Sequence, residues 1–171
     1  GMLIIVVLGI IFIIILLYLI SRRWKKKNAI YIDKLKKTID VCRKITASVP
    51  SDISDYEGIL SCINSSVGDE IKEIIGCDYF RLLIKDEEKD VPVSDISLSY
   101  PIIDSDSNEA IGEVYIASKK KINKEDKSLI NIVLPYIFWT IDNGSTFISL
   151  GDERMRLEKE KYVYQQHIIE N

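Results

Sequence analysis

Residues 2–20 read MLIIVVLGIIFIIILLYLI, an apolar run that contains no charged side chain. As a helix with a rise of about 1.5 Å per residue, this segment would extend about 28 Å, close to the ~30 Å hydrocarbon core of a bilayer.

The basic sequence SRRWKKK follows at once. Because basic residues collect at the cytoplasmic end of a span and tryptophan favours the headgroup layer, the pattern predicts a single-pass anchor in the cell inner membrane. Everything after Ser21 is then expected in the cytoplasm. The residues predicted at the membrane interface are Arg22, Arg23, Trp24, Lys25, Lys26 and Lys27.

Two other interpretations of residues 2–20 fit less well. A cleaved signal peptide would start with basic residues, have a shorter apolar region and end at a small-residue cleavage site. Here the positive charge follows the apolar run, and no such site comes after it. A helix buried in a soluble core is the other interpretation, but a domain of this size could hardly surround a helix that is apolar on every face.

The charge of the chain changes sign after the basic segment. Residues 22–37 contain eight Lys or Arg against Asp33, a local charge of +7, whereas residues 38–171 carry 15 basic and 25 acidic side chains, a local charge of −10. We expect the basic segment to lie against anionic membrane lipid, which attracts each nearby Lys or Arg by about 1 kcal/mol. The acidic remainder argues against nucleic acid as a partner.

The Cys and His residues do not form the pattern of a metal site. Cys42, Cys62 and Cys77 are widely spaced, form no CxxC pair and have only His167 as a companion. We expect ordinary thiols, since a redox-sensing role for one of them would require exposure and a lowered pKa. His167, in QQHIIEN, lacks the neighbours that usually surround the phosphoacceptor histidine of a sensor kinase. We therefore expect no enzyme, no metal and no cofactor.

Apolar periodicity predicts two helices between the anchor and the first strand. The first covers residues 29–49 and places five side chains at steps of three and four: Ile32, Leu35, Ile39, Cys42 and Thr46. These would form either the seam of a paired helix or the face of a single helix packed on the following domain. The second helix, 56–75, is expected to end at Gly76, which occupies the position of a left-handed C-cap residue.

Three strands are predicted next. They are CDYFRLLIK (77–85), ISLSYPII (96–103) and AIGEVYIAS (110–118), the last two separated by the turn sequence DSDSNE. The second and third strands are expected to pair as a hairpin. The charged region 86–95, which contains Pro92, is predicted as a turn.

A helix capped by Asn123, with Asp126 three residues later, is predicted to run to about Asn143. We expect a kink at Pro135 and a helix end at Gly144. The apolar residues of this helix cover more than one face, so it would need two packing layers or a partner subunit.

A last helix, 147–171, has Leu150, Leu157 and Tyr164 seven residues apart. Because charged residues occupy the intervening seam positions, this spacing predicts a weak, short coiled coil at best, with Arg154 and Glu158 paired across one turn. The sequence stops inside this helical pattern, and we expect it to be a fragment of a longer protein.

The order of these elements resembles a GAF domain, a small-ligand and dimerisation module of signalling proteins. Three segments carry the resemblance: KEIIGCDYFRLLIKDE, the end of a helix and the first strand; YPIIDSDSNEAIGEVYIASKKK, the hairpin with its Pro and IG positions; and INKEDKSLINIVLPYIFWTIDN, the closing helix. Together they cover about residues 55–143. The resemblance implies an α+β fold, a GAF-like antiparallel sheet flanked by helices, with an N-terminal transmembrane helix and a C-terminal output helix.

The chain departs from the GAF pattern where family members wall their ligand pocket. Only about ten residues, mostly charged, separate the first strand from the hairpin. The N-K-x-F-D-E cyclic-nucleotide signature, a downstream Cys for bilin and a His within the domain for haem are missing from the sequence. A small pocket could be lined by Phe80, Leu82, Tyr100 and Tyr115; the alternative is that these four are core residues.

The sequence thus predicts a transmembrane anchor (2–20), a basic juxtamembrane helix (21–50), a GAF-like domain (51–143) and a C-terminal signalling helix (144–171). The tail resembles the helical linker that precedes the dimerisation or catalytic part of sensor histidine kinases and diguanylate cyclases. The resemblance implies a homodimeric sensory module that relays a signal through helices to a downstream kinase or cyclase domain, absent from this chain, or to a partner protein. The alternatives are a membrane-anchored protein-interaction scaffold with a degenerate, ligand-free GAF-like fold, and a thiol-dependent reductase, which would need clustered reactive cysteines.

Overall fold

The fold is given by a computed structural model, which describes residues 1–53, 55–87 and 96–170. Six elements follow one another: α1 (Met2–Ala47), α2 (Tyr56–Ile75), β1 (Tyr79–Ile84), β2 (Ile96–Ile103), β3 (Ala110–Ser118) and α3 (Lys124–Glu170). The predicted α+β class is confirmed, with a three-stranded antiparallel sheet, a long apolar N-terminal helix and a C-terminal helix. Most of the turn predicted at 86–95, including Pro92, lies outside the described residues.

The chain divides into two compact units, residues 1–37 and residues 38–171. The first unit is the N-terminal part of α1, in which every residue from 2 to 30 is exposed. By length and composition this helix could cross a membrane, since its most apolar window has a mean hydropathy of 3.6 and is 0% buried. A signal sequence near an N-terminus would meet the same criteria, whereas the core helix of a soluble protein is mostly buried.

Helix α1 continues without a break from the apolar run to Ala47. The intervening segment is rich in Arg and Lys, which are good helix formers, and contains no Gly or Pro that would end the helix. In the second unit α1 buries Thr38, Val41, Cys42 and Ile45. The predicted seam only partly matches this face, because Ile39 is 52% exposed whereas Cys42 is 4% exposed. These last turns therefore pack on the following domain, one of the two alternatives that the sequence left open.

Helix α2 has the bounds that the sequence predicts. At its start the Asp55 carboxylate accepts a hydrogen bond of 2.7 Å from the Gly58 N–H. At its end Gly76 has a φ of 72°, and its N–H donates to the Lys72 carbonyl at 2.9 Å. Because a side chain would be strained at this φ, Gly76 is the C-cap residue that the sequence predicts.

The sheet has the strand order β1–β3–β2, and both pairs are antiparallel. The predicted hairpin of β2 and β3 is confirmed, with β3 as the central strand. Strand β1 begins at Tyr79, two residues later than predicted, because the N–H of Cys77 still bonds to the Lys72 carbonyl at the end of α2.

One face of the sheet packs against the helices and forms the apolar core. Phe80, Leu82, Ile102, Val114 and Ile116 belong to this core together with residues of α1, α2 and α3. Asn64 of α2 fixes the position of β1, because its side-chain amide accepts from the N–H of Leu82 and donates to the carbonyl of Leu82, both at 2.8 Å. Those two bonds satisfy backbone groups at an edge of the sheet.

Helix α3 is longer than predicted, because Gly144 does not end it. A Cβ at Gly144 would lie 2.6 Å from Cδ1 of Ile59, so the glycine permits close contact between α2 and α3. Pro135 also remains inside the helix, on its exposed side, where water can reach the carbonyl that lacks an N–H partner. The predicted helix end at Gly144 is therefore wrong. The predicted cap is confirmed, since the Asn123 side chain accepts from the Asp126 N–H at 2.8 Å.

Candidate interaction surfaces

The four residues predicted to line a pocket do not share one face of the sheet. Phe80 and Leu82 are 8% and 1% exposed, and half-buried Tyr100 packs against the same core. The register of β3 places Tyr115 on the opposite face. There its ring makes an edge-to-face contact with Tyr79, with 5.9 Å between the ring centroids. Three of the four candidates thus lie in or against the apolar core.

The opposite face of the sheet carries polar and aromatic side chains together with the buried residues Leu83 and Ala117. Arg81 lies 3.8 Å from the Glu87 carboxylate, and the hydroxyl of Ser99 donates to Glu113. Together with the rings of Tyr79 and Tyr115, these side chains form a surface on which Arg81 and Glu87 pair locally. Such a surface suits contact with water or with another polar surface.

A partly buried hydrogen-bond cluster joins α2, the β2–β3 turn and α3. The hydroxyl of Tyr56 donates to Oδ1 of Asp104 at 2.9 Å and lies 2.7 Å from Oγ of Ser145. The other carboxylate oxygen of Asp104 accepts from the N–H and the hydroxyl of Ser107, at 3.3 and 2.7 Å. We call Tyr56, Asp104 and Ser145 the polar junction. It ties the hairpin turn to α3 a few residues before α3 becomes exposed on every side.

The hydrogen bonds of the polar junction determine its protonation. The bonds from Ser107 and Tyr56 hold the pKa of Asp104 below its ordinary value. Partial burial raises the pKa of Tyr56, and the Asp104 carboxylate raises it further. At neutral pH a neutral phenol therefore donates to an ionised carboxylate, which is a charge-assisted hydrogen bond.

An apolar groove lies between the last turns of α1 and the middle of α3, within the second unit. Its lining consists of Ile39, Cys42, Arg43, Thr46, Ile132, Pro135, Tyr136 and Trp139. Although both are large aromatic residues, Tyr136 and Trp139 are 45% and 55% exposed. Clustered exposed apolar side chains with polar neighbours are typical of a binding surface.

Beside this groove, α1 is also held to α2 by charge. The ammonium of Lys44 lies 2.8 Å from the Glu70 carboxylate and 3.5 Å from that of Asp40. The hydrogen bond to Glu70 is the main reason that the pKa of Lys44 is raised. This ion pair is exposed, so it orients α1 on α2 and contributes little to stability.

The C-terminal part of α3, from 149 to 170, is exposed throughout. Its large exposed apolar residues are Leu150, Met155, Leu157, Tyr162, Val163, Tyr164, Ile168 and Ile169. The predicted pair of Arg154 and Glu158 is confirmed at 3.3 Å, and Arg156 pairs with Glu153 at 2.6 Å. Such exposed pairs stabilise a helix by only about 0.3–0.5 kcal/mol each, so a partner that covers the apolar residues would stabilise it more.

The three cysteines have the environments expected of structural residues. Burial raises the pKa of Cys42 and of Cys77, which disfavours the reactive thiolate, and Cys62 is half-buried. Among residues 1–53, 55–87 and 96–170, no group of three or more His, Cys, Asp or Glu side chains could hold a metal ion. His167 lies on the exposed part of α3.

Comparison of the chain with known protein families, with curated proteins and with solved structures gives no match. What the chain does must therefore be inferred from its own residues and contacts.

Sequence reasoning does not find the polar junction, because no spacing rule connects residues 56, 104 and 145. Each of them follows an ordinary local pattern, a helix start, a turn and a helix interior. The groove does have a sequence signal. Tyr136 and Trp139 contribute to the second apolar face of α3, which predicts a further packing partner.

Proposed function

We propose that this chain is a membrane-anchored cytoplasmic regulatory module that forms a homodimer and relays a signal through its helices to a kinase or cyclase domain or to a partner protein. The observation that carries the proposal is the construction of α1. A single helix contains an exposed apolar run long enough for a bilayer and, at its other end, four side chains buried in a folded core. A change in the tilt or rotation of the anchor would therefore act directly on that core.

Contacts between the helices of the second unit support a route from α1 to α3. Lys44 ties α1 to α2 through Glu70, and Gly144 brings α3 against Ile59 of α2. The polar junction adds a directional contact between the start of α2 and Ser145. Because these contacts lie in one packed unit, a shift of α1 would change the position of α3.

The GAF-like character of residues 51–143 is part of this proposal. The order of helix, strand, hairpin and closing helix supports it, as does the β2–β3 pairing. In this reading the domain is a dimerisation scaffold that carries no cofactor. The signal would be the state of the membrane, sensed through the anchor and through Arg22, Arg23, Trp24, Lys25, Lys26 and Lys27. Its effect on α3 can be no larger than the difference in membrane affinity between the two states of the module.

The proposal is tested by hydrogen exchange of the full chain in lipid nanodiscs. Nanodiscs of phosphatidylcholine alone are compared with nanodiscs that also contain phosphatidylglycerol. We expect a change in amide exchange between residues 124 and 170, because anionic lipid would reposition the basic segment. A variant with Lys25, Lys26 and Lys27 changed to Gln is the matched control and should lose the response. Exchange in α3 that is identical in both lipids would contradict the relay.

The second candidate function is a membrane-anchored scaffold whose degenerate GAF-like fold binds only protein. The burial of Phe80 and Leu82 favours it, because these positions are filled by core packing. The same exchange experiment separates the two functions. A dimer whose α3 is insensitive to lipid composition supports the scaffold, and a lipid-dependent α3 supports the relay.

A further inference from the structure

One side of α3 carries a stripe that repeats every seven residues, in which every member is exposed except the half-buried Asn143. Its members are Tyr136, Asn143, Leu150, Leu157 and Tyr164. The three in the tail are 61%, 52% and 67% exposed, and Tyr136 in the groove is 45% exposed. We call these five residues the α3 stripe. It begins within the folded core region and continues along the exposed tail without a change of spacing.

A second row accompanies the stripe at steps of three and four. It consists of Ile132, Trp139, Thr146, Glu153, Glu160 and His167. Alternating steps of three and four are the pattern by which one helix packs along another. The first two members of this row, Ile132 and Trp139, are apolar and line the groove, and the members from Thr146 onward are polar. The strongest contact is therefore expected at Tyr136 and Trp139, with weaker contact along the tail.

Two features of the stripe select a second copy of this chain as its occupant. Asn143 lies among apolar members, and an Asn at one seam position favours a parallel two-stranded pair in which it meets its own counterpart. The segment 152–161, DERMRLEKEK, has four acidic and four basic residues, so its net charge does not oppose the pairing of two copies, and the repulsion is confined to Glu153 and Glu160, which would face their own counterparts. A helix that lies on a membrane would instead be rich in Lys and Arg on its polar face.

We propose that two copies of the chain associate in parallel through the α3 stripe, with Asn143 facing Asn143. This deepens the proposed function and rests on it, since it names the surface through which the homodimer forms. The Trp139 side chains then cover each other's grooves, and the exposed tails pair as a short coiled coil.

The test is cysteine cross-linking of the full chain in nanodiscs, in a Cys62→Ser background that leaves only the buried Cys42 and Cys77. Leu150→Cys and Leu157→Cys place a thiol on the stripe. Met155→Cys and Tyr162→Cys place a thiol on the opposite side of the same helix, where the native residues are 70% and 63% exposed. Because a disulfide needs Cα atoms about 4.4–6.8 Å apart, the stripe variants should form a covalent dimer about tenfold faster or more. Equal rates on both sides of the helix would overturn the proposal.

Asn143→Val separately tests whether Asn143 restricts the association to two copies. The variant should associate more tightly but lose its preference for a dimer, giving larger oligomers by analytical ultracentrifugation. Unchanged dimers would overturn the role of Asn143. The outcomes also separate this surface from the proposed function. A lipid-dependent exchange of α3 without cross-links on the stripe rejects the surface and keeps the relay, whereas cross-links on the stripe without any lipid response reject the relay.

Discussion

The two long helices have nearly equal lengths, 46 residues in α1 and 47 in α3, and both bury one part in the core of the second unit. Their exposed parts differ. Residues 2–20 of α1 are apolar on every side, whereas the exposed end of α3 carries acidic and basic residues together with the apolar α3 stripe and further apolar residues such as Met155 and Tyr162 on the opposite side. A helix of the first kind is long and apolar enough to cross a membrane, whereas one of the second kind has a charged surface and offers one side to a partner helix.

This difference shows that helix formation and helix location have separate causes. Both helices continue beyond the core, and Gly144 and Pro135 do not interrupt α3. The pattern of side chains then determines the solvent in which each extension is stable. Five changes test this comparison, in decreasing order of expected effect.

The largest effect is expected from charges in the apolar run of α1. Ile10→Lys together with Ile14→Lys should make membrane insertion about 5–7 kcal/mol less favourable, because each Lys near the centre of a span costs about 2.5–3.5 kcal/mol. The measurement is the fraction of the chain that remains with membranes after alkaline extraction. The matched control, Ile168→Lys with Ile169→Lys on α3, should leave this fraction unchanged. Equal extraction of both variants would show that α1 does not hold the chain in a membrane.

The next effect compares two isoleucines within α3. Ile137 is 0% exposed and Ile169 is 82% exposed. Ile137→Ala should lower the free energy of unfolding by about 2–5 kcal/mol, because it leaves a cavity in the core. Ile169→Ala should change it by less than about 0.5 kcal/mol. Urea unfolding of the full chain in detergent, followed by tryptophan fluorescence, measures both values. Similar losses would mean that the end of α3 is buried in the same core.

Two glycines of α3 provide the third comparison. Gly144→Ala should destabilise the fold by about 1–3 kcal/mol, because its Cβ would meet Ile59. Gly151 has no atom within 4 Å of such a Cβ, so Gly151→Ala should stabilise the helix by about 0.5–1 kcal/mol. Thermal unfolding followed by circular dichroism distinguishes the two signs. Stabilisation by Gly144→Ala would contradict the close contact of α2 and α3.

Local patterns predict much of this fold. The period-2 segments give β2 and β3 within their observed bounds, and Gly76 gives the end of α2, because strand alternation and helix capping depend on near neighbours in sequence. Gly144 shows the limit of such rules. The same residue type that ends α2 at Gly76 continues α3, since its role depends on Ile59, 85 positions earlier in the chain.

The candidate surfaces likewise include features that local sequence predicts and features that it does not. The heptad spacing of Leu150, Leu157 and Tyr164 is visible in the sequence, but its continuation to Tyr136 requires knowledge that α3 is unbroken. The pocket prediction depended on which face of the sheet each residue occupies. The register of β1 with β3 places Tyr115 on the face of the sheet opposite to that of Phe80 and Leu82, and no local pattern determines this register because the two strands pair across a long sequence separation.

A smaller effect is expected from the polar junction. Tyr56→Phe removes the hydrogen bonds to Asp104 and Ser145 but keeps the ring, and should cost about 1–2 kcal/mol of unfolding free energy. Tyr162→Phe removes a hydroxyl on the exposed tail that accepts a hydrogen bond from Gln166, and should change the unfolding free energy by less than about 0.5 kcal/mol. Hydrogen exchange should also increase in the β2–β3 turn and in α3 around Ser145 for Tyr56→Phe. An increase in the turn alone would show that the junction does not hold α3.

The smallest effect is the pH dependence of the same junction. Because hydrogen bonds hold the pKa of Asp104 below its ordinary value, the folded chain binds this proton less readily than the unfolded chain. The resulting stabilisation is present above the ordinary carboxyl pKa and is lost as the pH falls through the lowered pKa.

The stability of Asp104→Asn should therefore differ most from that of the unchanged chain near neutral pH, with the difference shrinking in acid. Asp152→Asn on the exposed tail is the control and should show no such trend. Urea midpoints measured across this pH range decide the question, and a difference that stays constant would mean that Asp104 contributes through its shape and not through its charge.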